Sequence, residues 1–150
     1  VLTEVLGFKL IDAEGSFHLF EVGEGGNGAS IIVEHREDLP AAQEGYGNVH
    51  HLALRVADEE ALRFWIEKIN RLEFPNSGFV ERFYFKSEYF LAATHVLFEL
   101  ATDGPGFLED ETYEHAGEKL SLPPFLEPKR AGIEEFVRPF DTSDANVQRN

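Results

Sequence analysis

The middle of the chain carries an order of hydrophobic patterns that few folds accommodate. An apolar strand is predicted over residues 49–56, and Asp58 follows it as the N-cap of a helix. The apolar stripe of that helix is Leu62, Trp65, Ile66, Ile69 and Leu72. Three more strands are predicted over residues 79–86, 88–91 and 95–101. The order strand-helix-strand-strand-strand therefore predicts an α+β unit, with the helix packed on one face of a sheet.

The first part of the chain repeats the end of this pattern. A hairpin is predicted over residues 8–13 and 17–22, around Glu14-Gly15-Ser16, with a further strand over residues 29–35. This unit has the same order of elements as the second, with its opening strand and most of its helix cut away. The fold class expected is thus α+β, built from paired βαβββ modules of which the first is partial.

The start of the chain also looks truncated. Residues 1–6 read as the end of an amphipathic helix that Gly7 closes, and a helix rarely begins a domain without a cap. The sequence contains no methionine. We therefore expect the natural protein to continue upstream of Val1. The domain organisation expected is a partial module with a linker over 1–47, a complete module over 48–105, and a tail over 106–150 that packs on the same domain.

Composition excludes several classes of function. A formal net charge of −15 disfavours nucleic acid and anionic membrane surfaces as partners, because Lys and Arg carry those affinities. The chain has no cysteine, so disulfides and thiolate zinc sites are excluded. No apolar run approaches the roughly 20 residues that span a bilayer, and no signal peptide is visible. A cytoplasmic protein is the default expectation.

Strand alternation brings a few chemically active residues to one side of the second sheet. In the strand over 49–56, the apolar residues face the helix and His51 faces the other way; in the last strand, Glu99 does the same. His51 and Glu99 then supply two thirds of a 2-His-1-carboxylate metal site. Tyr89 precedes Glu99 by a tight turn and is expected to lie near it. Ordinary surface or core roles for these three residues remain the alternative.

Four segments resemble a known family, the vicinal oxygen chelate superfamily of glyoxalases, antibiotic-resistance proteins and extradiol dioxygenases. The match is closest to its ring-cleaving, hydroquinone-type dioxygenase branch. The segments are GYGNVHH at 45–51, RFYFKSEYF at 82–90, LFELATDGPGF at 97–107 and GEKLSLPPFLEP at 117–128. The resemblance as a whole covers nearly the whole chain.

The resemblance implies a role for each candidate residue. His51 and Glu99 match the metal ligands of the last module, Tyr89 matches a tyrosine beside the substrate hydroxyls, and the third ligand belongs to a strand before Val1. Two departures stand out. The Pro-Gly turn of the family reads Ala92-Ala93-Thr94-His95 here, and its acid-base histidine has no match in the segment 80–83.

These expectations favour an extradiol-type dioxygenase that acts on a catechol or hydroquinone with O2. The metal expected is Fe(II), with Mn(II) or another divalent metal as alternatives. One rival is a glyoxalase-type isomerase or thiol transferase of the same fold. The other is a metal-free protein that binds or sequesters small molecules. A homodimer, or the missing N-terminal half, is the expected partner of a lone half-molecule.

Overall fold

The computed structural model describes residues 1–40, 43, 45–92 and 96–139. The chain divides into two compact units, one over Val1–Leu52 with Leu91–Leu97 and the other over Ala53–Phe90 with Phe98–Asn150. The described elements confirm an α+β fold, and they are β1 Lys9–Glu14, β2 Phe17–Glu21, β3 Ser30–Glu34, β4 Leu52–Arg55, α1 Glu59–Arg71, β5 Val80–Glu81, β6 Lys86–Leu91, β7 Leu97–Ala101, a 3-10 helix Glu127–Lys129 and α2 Arg130–Phe136.

The first sheet is an antiparallel meander in the order β1-β2-β3. The predicted hairpin and the strand that follows it are confirmed, with a register shift between Leu10 and Asp12. The predicted helix end is present only as hydrogen-bonded turns, in which the Val5 N–H donates to the Val1 carbonyl oxygen at 2.9 Å. Gly7 follows at φ +79°, the left-handed conformation that a side chain would strain.

The second sheet has the order β4-β7-β6-β5, and α1 provides the apolar cover of one of its faces. Asp58 caps α1 as predicted, since its Oδ1 accepts the Ala61 N–H at 2.8 Å. Leu62 and Ile69 from the predicted stripe are fully buried. Each such side chain contributes about 1.5–3 kcal/mol relative to exposure.

Two predicted strands and one core residue are wrong in detail. The strand predicted over 49–56 is shortened to Leu52–Arg55. The segment before it contains two glycines at positive φ, Gly45 and Gly47. The strand over 79–86 is reduced to Val80–Glu81. Leu72 is the C-cap of α1 and is 48% exposed, so it ends the helix instead of extending its buried stripe.

Hydrogen bonds and an aromatic contact join the segment after β7 to the turn before β6. The Tyr84 hydroxyl donates to Oδ2 of Asp110 at 2.8 Å, and the Ser121 hydroxyl donates to the same oxygen at 2.8 Å. The Tyr84 ring also stacks on Phe107, with 5.5 Å between ring centroids. Farther along, the short helix predicted over 133–137 is present as α2, which begins earlier, at Arg130.

No helix among the described residues is long and apolar enough to cross a membrane. His95 and most of the turn Ala92-Ala93-Thr94-His95 lie outside the described residues.

Candidate functional site

Tyr89 and Glu99 meet on the face of the second sheet that is opposite α1. Tyr89 is on β6 and Glu99 is on β7, and these two strands are neighbours in the sheet. Glu99 is 4% exposed, whereas Tyr89 is half-buried. The Glu99 carboxylate lies close enough to the Tyr89 phenol to raise the pKa of that phenol. The predicted proximity of these two residues is therefore confirmed.

Arg82 adds a cation to this group, and no pattern in the sequence indicated it. The guanidinium carbon of Arg82 lies 5.2 Å from the centroid of the Tyr89 ring. The pKa of the Tyr89 phenol is raised, first by burial and then by the Glu99 carboxylate, while Arg82 and Ser87 act to lower it. A phenol, a carboxylate and a guanidinium thus share one small region, which is chemistry that suits a ligand with acidic hydroxyl groups.

A tight turn places Arg82 there. The backbone N–H of Arg82 donates to the Phe85 carbonyl oxygen at 2.9 Å, and Phe83 adopts φ +71°. The N–H of Phe83 donates to Oε1 of Glu81 at 3.1 Å. The apolar run of this segment hid the turn, because its aromatic residues fit a strand pattern equally well. The only sequence signal for Arg82 was its position seven residues before Tyr89.

The other face of β6 carries a second buried carboxyl group. Glu88 is fully buried, and burial alone raises the pKa of its carboxyl to about 7. Glu88 shares its face of the strand with Phe90, whose ring stacks on Phe98 at 5.3 Å. Sequence reasoning missed Glu88, because a glutamate within a strand pattern is usually assigned to the exposed face.

His51, the predicted ligand from the start of β4, belongs to the first compact unit. It is half-buried, and its Nδ1 lies 2.9 Å from Nδ1 of the exposed neighbour His50. The two rings are perpendicular, with centroids 5.1 Å apart. One nitrogen of this pair donates and the other accepts, and the tautomers of the two rings decide which is the donor.

Within residues 1–40, 43, 45–92 and 96–139, no three His, Asp or Glu side chains are grouped closely enough to hold a metal ion. The sequence also offered only two ligands, His51 and Glu99. Their assignment as a metal pair stays a prediction.

Relatives of known description cover nearly the whole chain. "Putative ring-cleaving dioxygenase MhqA" of Bacillus subtilis (strain 168) is 46% identical over 144 residues, which are 93% of this chain and 46% of that protein. "Chlorohydroquinone/hydroquinone 1,2-dioxygenase" of Sphingobium indicum is 35% identical over 119 residues, which are 76% of this chain and 36% of that protein. No protein-family model matches the chain.

A solved structure gives the same result for the fold. The crystal structure titled "putative dioxygenase from Bacillus subtilis subsp. subtilis str. 168" is 36% identical, with a TM-score of 0.80, and the match covers 93% of this chain and 45% of that one. The chain is thus similar over nearly its whole length to ring-cleaving dioxygenases, the branch that its sequence motifs resemble. It spans about half, 46%, of the length of the first curated relatives it matches.

The donor chemistry of Glu99 and His51 fits a divalent metal. Oε1 of the Glu99 carboxylate is fully buried, and the phenol of Tyr89 lies beside this carboxylate. Carboxylate and imidazole are the ligands of Fe(II) and Mn(II) centres that keep open positions for substrate. Glu99 and His51 have that chemistry.

Proposed function

We propose that this chain is part of a metal-dependent extradiol-type dioxygenase that cleaves the ring of a hydroquinone or catechol with O2. The observation that carries the proposal is the group formed by Tyr89, Glu99 and Arg82 in a chain similar to ring-cleaving dioxygenases. Hydroquinone is the preferred substrate class, because a relative that is 35% identical carries that substrate in its name.

In this proposal, His51 and Glu99 hold the metal and a third ligand comes from outside the described residues. Fe(II) is the preferred metal, with Mn(II) or another divalent ion as the alternative. When bound, the metal lowers the pKa of a substrate hydroxyl and brings the electron-rich ring and O2 together. Residues 48–105, expected to be a complete module, then carry every candidate site residue of this chain.

Tyr89 and Arg82 bind and orient the substrate in the proposed reaction. Arg82 donates charge-assisted hydrogen bonds to a substrate oxygen that has lost its proton, which favours the deprotonated ring. Tyr89 keeps its own proton, since burial and Glu99 both raise the pKa of its phenol. It therefore acts as a hydrogen-bond donor to the substrate. The segment 80–83 contains no histidine, and Arg82 is the cation of that segment that lies over the Tyr89 ring.

The experiment measures metal content and oxygen uptake on the longest natural form of the protein, purified without oxygen. We expect iron or manganese at stoichiometric amounts in the parent, and loss of that metal in both His51→Ala and Glu99→Ala. Glu60→Ala, an exposed change on α1, is the matched control and should keep the metal. Metal retained in both site variants would refute the ligand assignment.

Oxygen uptake with hydroquinones then separates the proposal from its rivals. A dioxygenase consumes one O2 for each ring cleaved, whereas an isomerase of the same fold consumes none. Hydroquinone binding that chelators leave unchanged, with no turnover, would instead indicate a metal-free binding protein.

A further inference from the structure

Glu88 is a buried acid that the proposed reaction does not use. Its side chain is fully buried on β6, and among the described residues neither of its carboxylate oxygens has a hydrogen-bond partner. A carboxyl group in such a place costs free energy if it is charged, because nothing replaces its lost hydration. The same face of the second sheet contributes Phe90, Phe98 and Leu100 to the core.

The charged groups around Glu88 are engaged with one another. Lys86 precedes it on the same face of β6 and forms an ion pair with Glu59 of α1. Arg63 of α1 binds the same glutamate, with 2.6 Å between Nη2 and Oε1. Glu81 of β5 lies opposite Lys86 in the register of the sheet. The inward-facing residues of β7 that are described, Phe98 and Leu100, carry no charge.

We propose that Glu88 is a proton-operated switch in the core of the second unit: it is neutral while β6 packs against α1, and loss of its proton weakens that packing. The neutral carboxyl tolerates an apolar environment that the carboxylate does not. Nothing in the proposed reaction depends on this device, and it operates in the free protein.

The pH range of the switch follows from burial. The pKa of Glu88 is about 7 in the folded chain, against about 4.3 for an unfolded glutamate. The folded state therefore binds one proton more than the unfolded state between these values, so stability falls as pH rises through this interval. The contribution of Glu88 is complete below the unfolded pKa and is lost once the pH exceeds about 7. Since Tyr89 is the next residue of the same strand, weaker packing of β6 also loosens the position of Tyr89 in the candidate site.

The test compares urea unfolding of the parent and of Glu88→Gln from about pH 5.5 to about pH 8.5. Gln has the shape of Glu and cannot lose a proton. We expect the midpoint of the parent to fall relative to that of Glu88→Gln as the pH rises to about 7 and then to level off, so that the two curves differ most above neutral pH. Glu60→Gln is the control on the exposed side of α1 and should follow the parent. If the Glu88→Gln midpoint keeps the full pH dependence of the parent, the proposal is wrong.

A direct titration covers the case in which Glu88→Gln folds poorly. The carboxyl carbon resonance of Glu88, assigned by its absence from Glu88→Gln or Glu88→Leu, is followed by NMR across the same pH range. A midpoint near 7 supports the switch. A midpoint near the ordinary value for glutamate, about 4.3, overturns it.

Discussion

The two faces of β6 carry different kinds of buried polar group. On one face, Tyr89 lies among groups that act on it, namely Glu99, Arg82 and Ser87. On the other face, Glu88 is fully buried on the side of β6 that also carries Phe90, and neither of its oxygens has a hydrogen-bond partner among the described residues. Glu99, with a phenol beside it, belongs to the proposed site. Glu88, which has no such partner, is the group for which we propose a change of protonation with pH.

We expect substitutions on the two faces of the sheet to affect different properties, namely stability on one face and binding on the other. The α1 face of the sheet is apolar and closely packed, so substitutions there change the free energy of unfolding. The opposite face presents the polar side chains of the proposed site, and we expect their loss to change what the protein binds. Each of the following substitutions tests this division.

The largest effect is expected for Phe90→Ala. Phe90 is fully buried, its ring stacks on Phe98, and it makes an edge contact with Phe74 at 5.8 Å. Truncation should lower the free energy of unfolding by about 3–5 kcal/mol, measured in urea. Phe64→Ala, at a side chain that is 56% exposed, is the control and should change it far less. Equal losses in the two variants would show that the α1 face is not the packed core.

Glu99→Gln should act on the metal. We expect a loss of metal affinity of about 100-fold, equivalent to about 2.7 kcal/mol, because a carboxylate ligand is replaced by a neutral amide. Calorimetric titration with Mn(II) measures this affinity. Glu60→Gln is the matched control. Unchanged affinity in Glu99→Gln would place the metal elsewhere.

Tyr89→Phe and Arg82→Gln should lower turnover of hydroquinone by about 10- to 100-fold, since each removes a group proposed to bind substrate. The midpoint of thermal unfolding should move little, because Arg82 is exposed and Tyr89 is half-buried. A large loss of stability with unchanged turnover would show that Tyr89 and Arg82 stabilise the fold and do not bind substrate.

The smallest effect is expected at the start of α1. Asp58→Ala removes the hydrogen bond to the Ala61 N–H and should cost about 1 kcal/mol of unfolding free energy, with metal binding unchanged. Asp58→Ser keeps a capping oxygen and should recover most of this loss. If both substitutions cost the same, the cap contributes nothing measurable.

Local patterns were sufficient to predict much of this chain. The capped helix α1, the burial of Leu62 and Ile69 and the antiparallel hairpin follow from spacing and turn residues, and the structure confirms them. The proximity of Tyr89 and Glu99 followed from alternation along two strands joined by a short turn. Both kinds of inference need only contacts that are close in sequence or fixed by a regular period.

The tertiary structure decided the rest. The turn at 82–85 brings Arg82 to Tyr89, and an aromatic-rich strand pattern concealed it because hydrophobic periodicity does not register a single residue at positive φ. The burial of Glu88 depends on what covers its face of β6, which is a property of packing between distant segments. Sequence alone therefore predicted most of the elements and the family that the chain resembles. Which polar groups are buried, and with what partners, was set by the assembled sheet and helix, because burial changes the free energy of a charged group more than any local preference does.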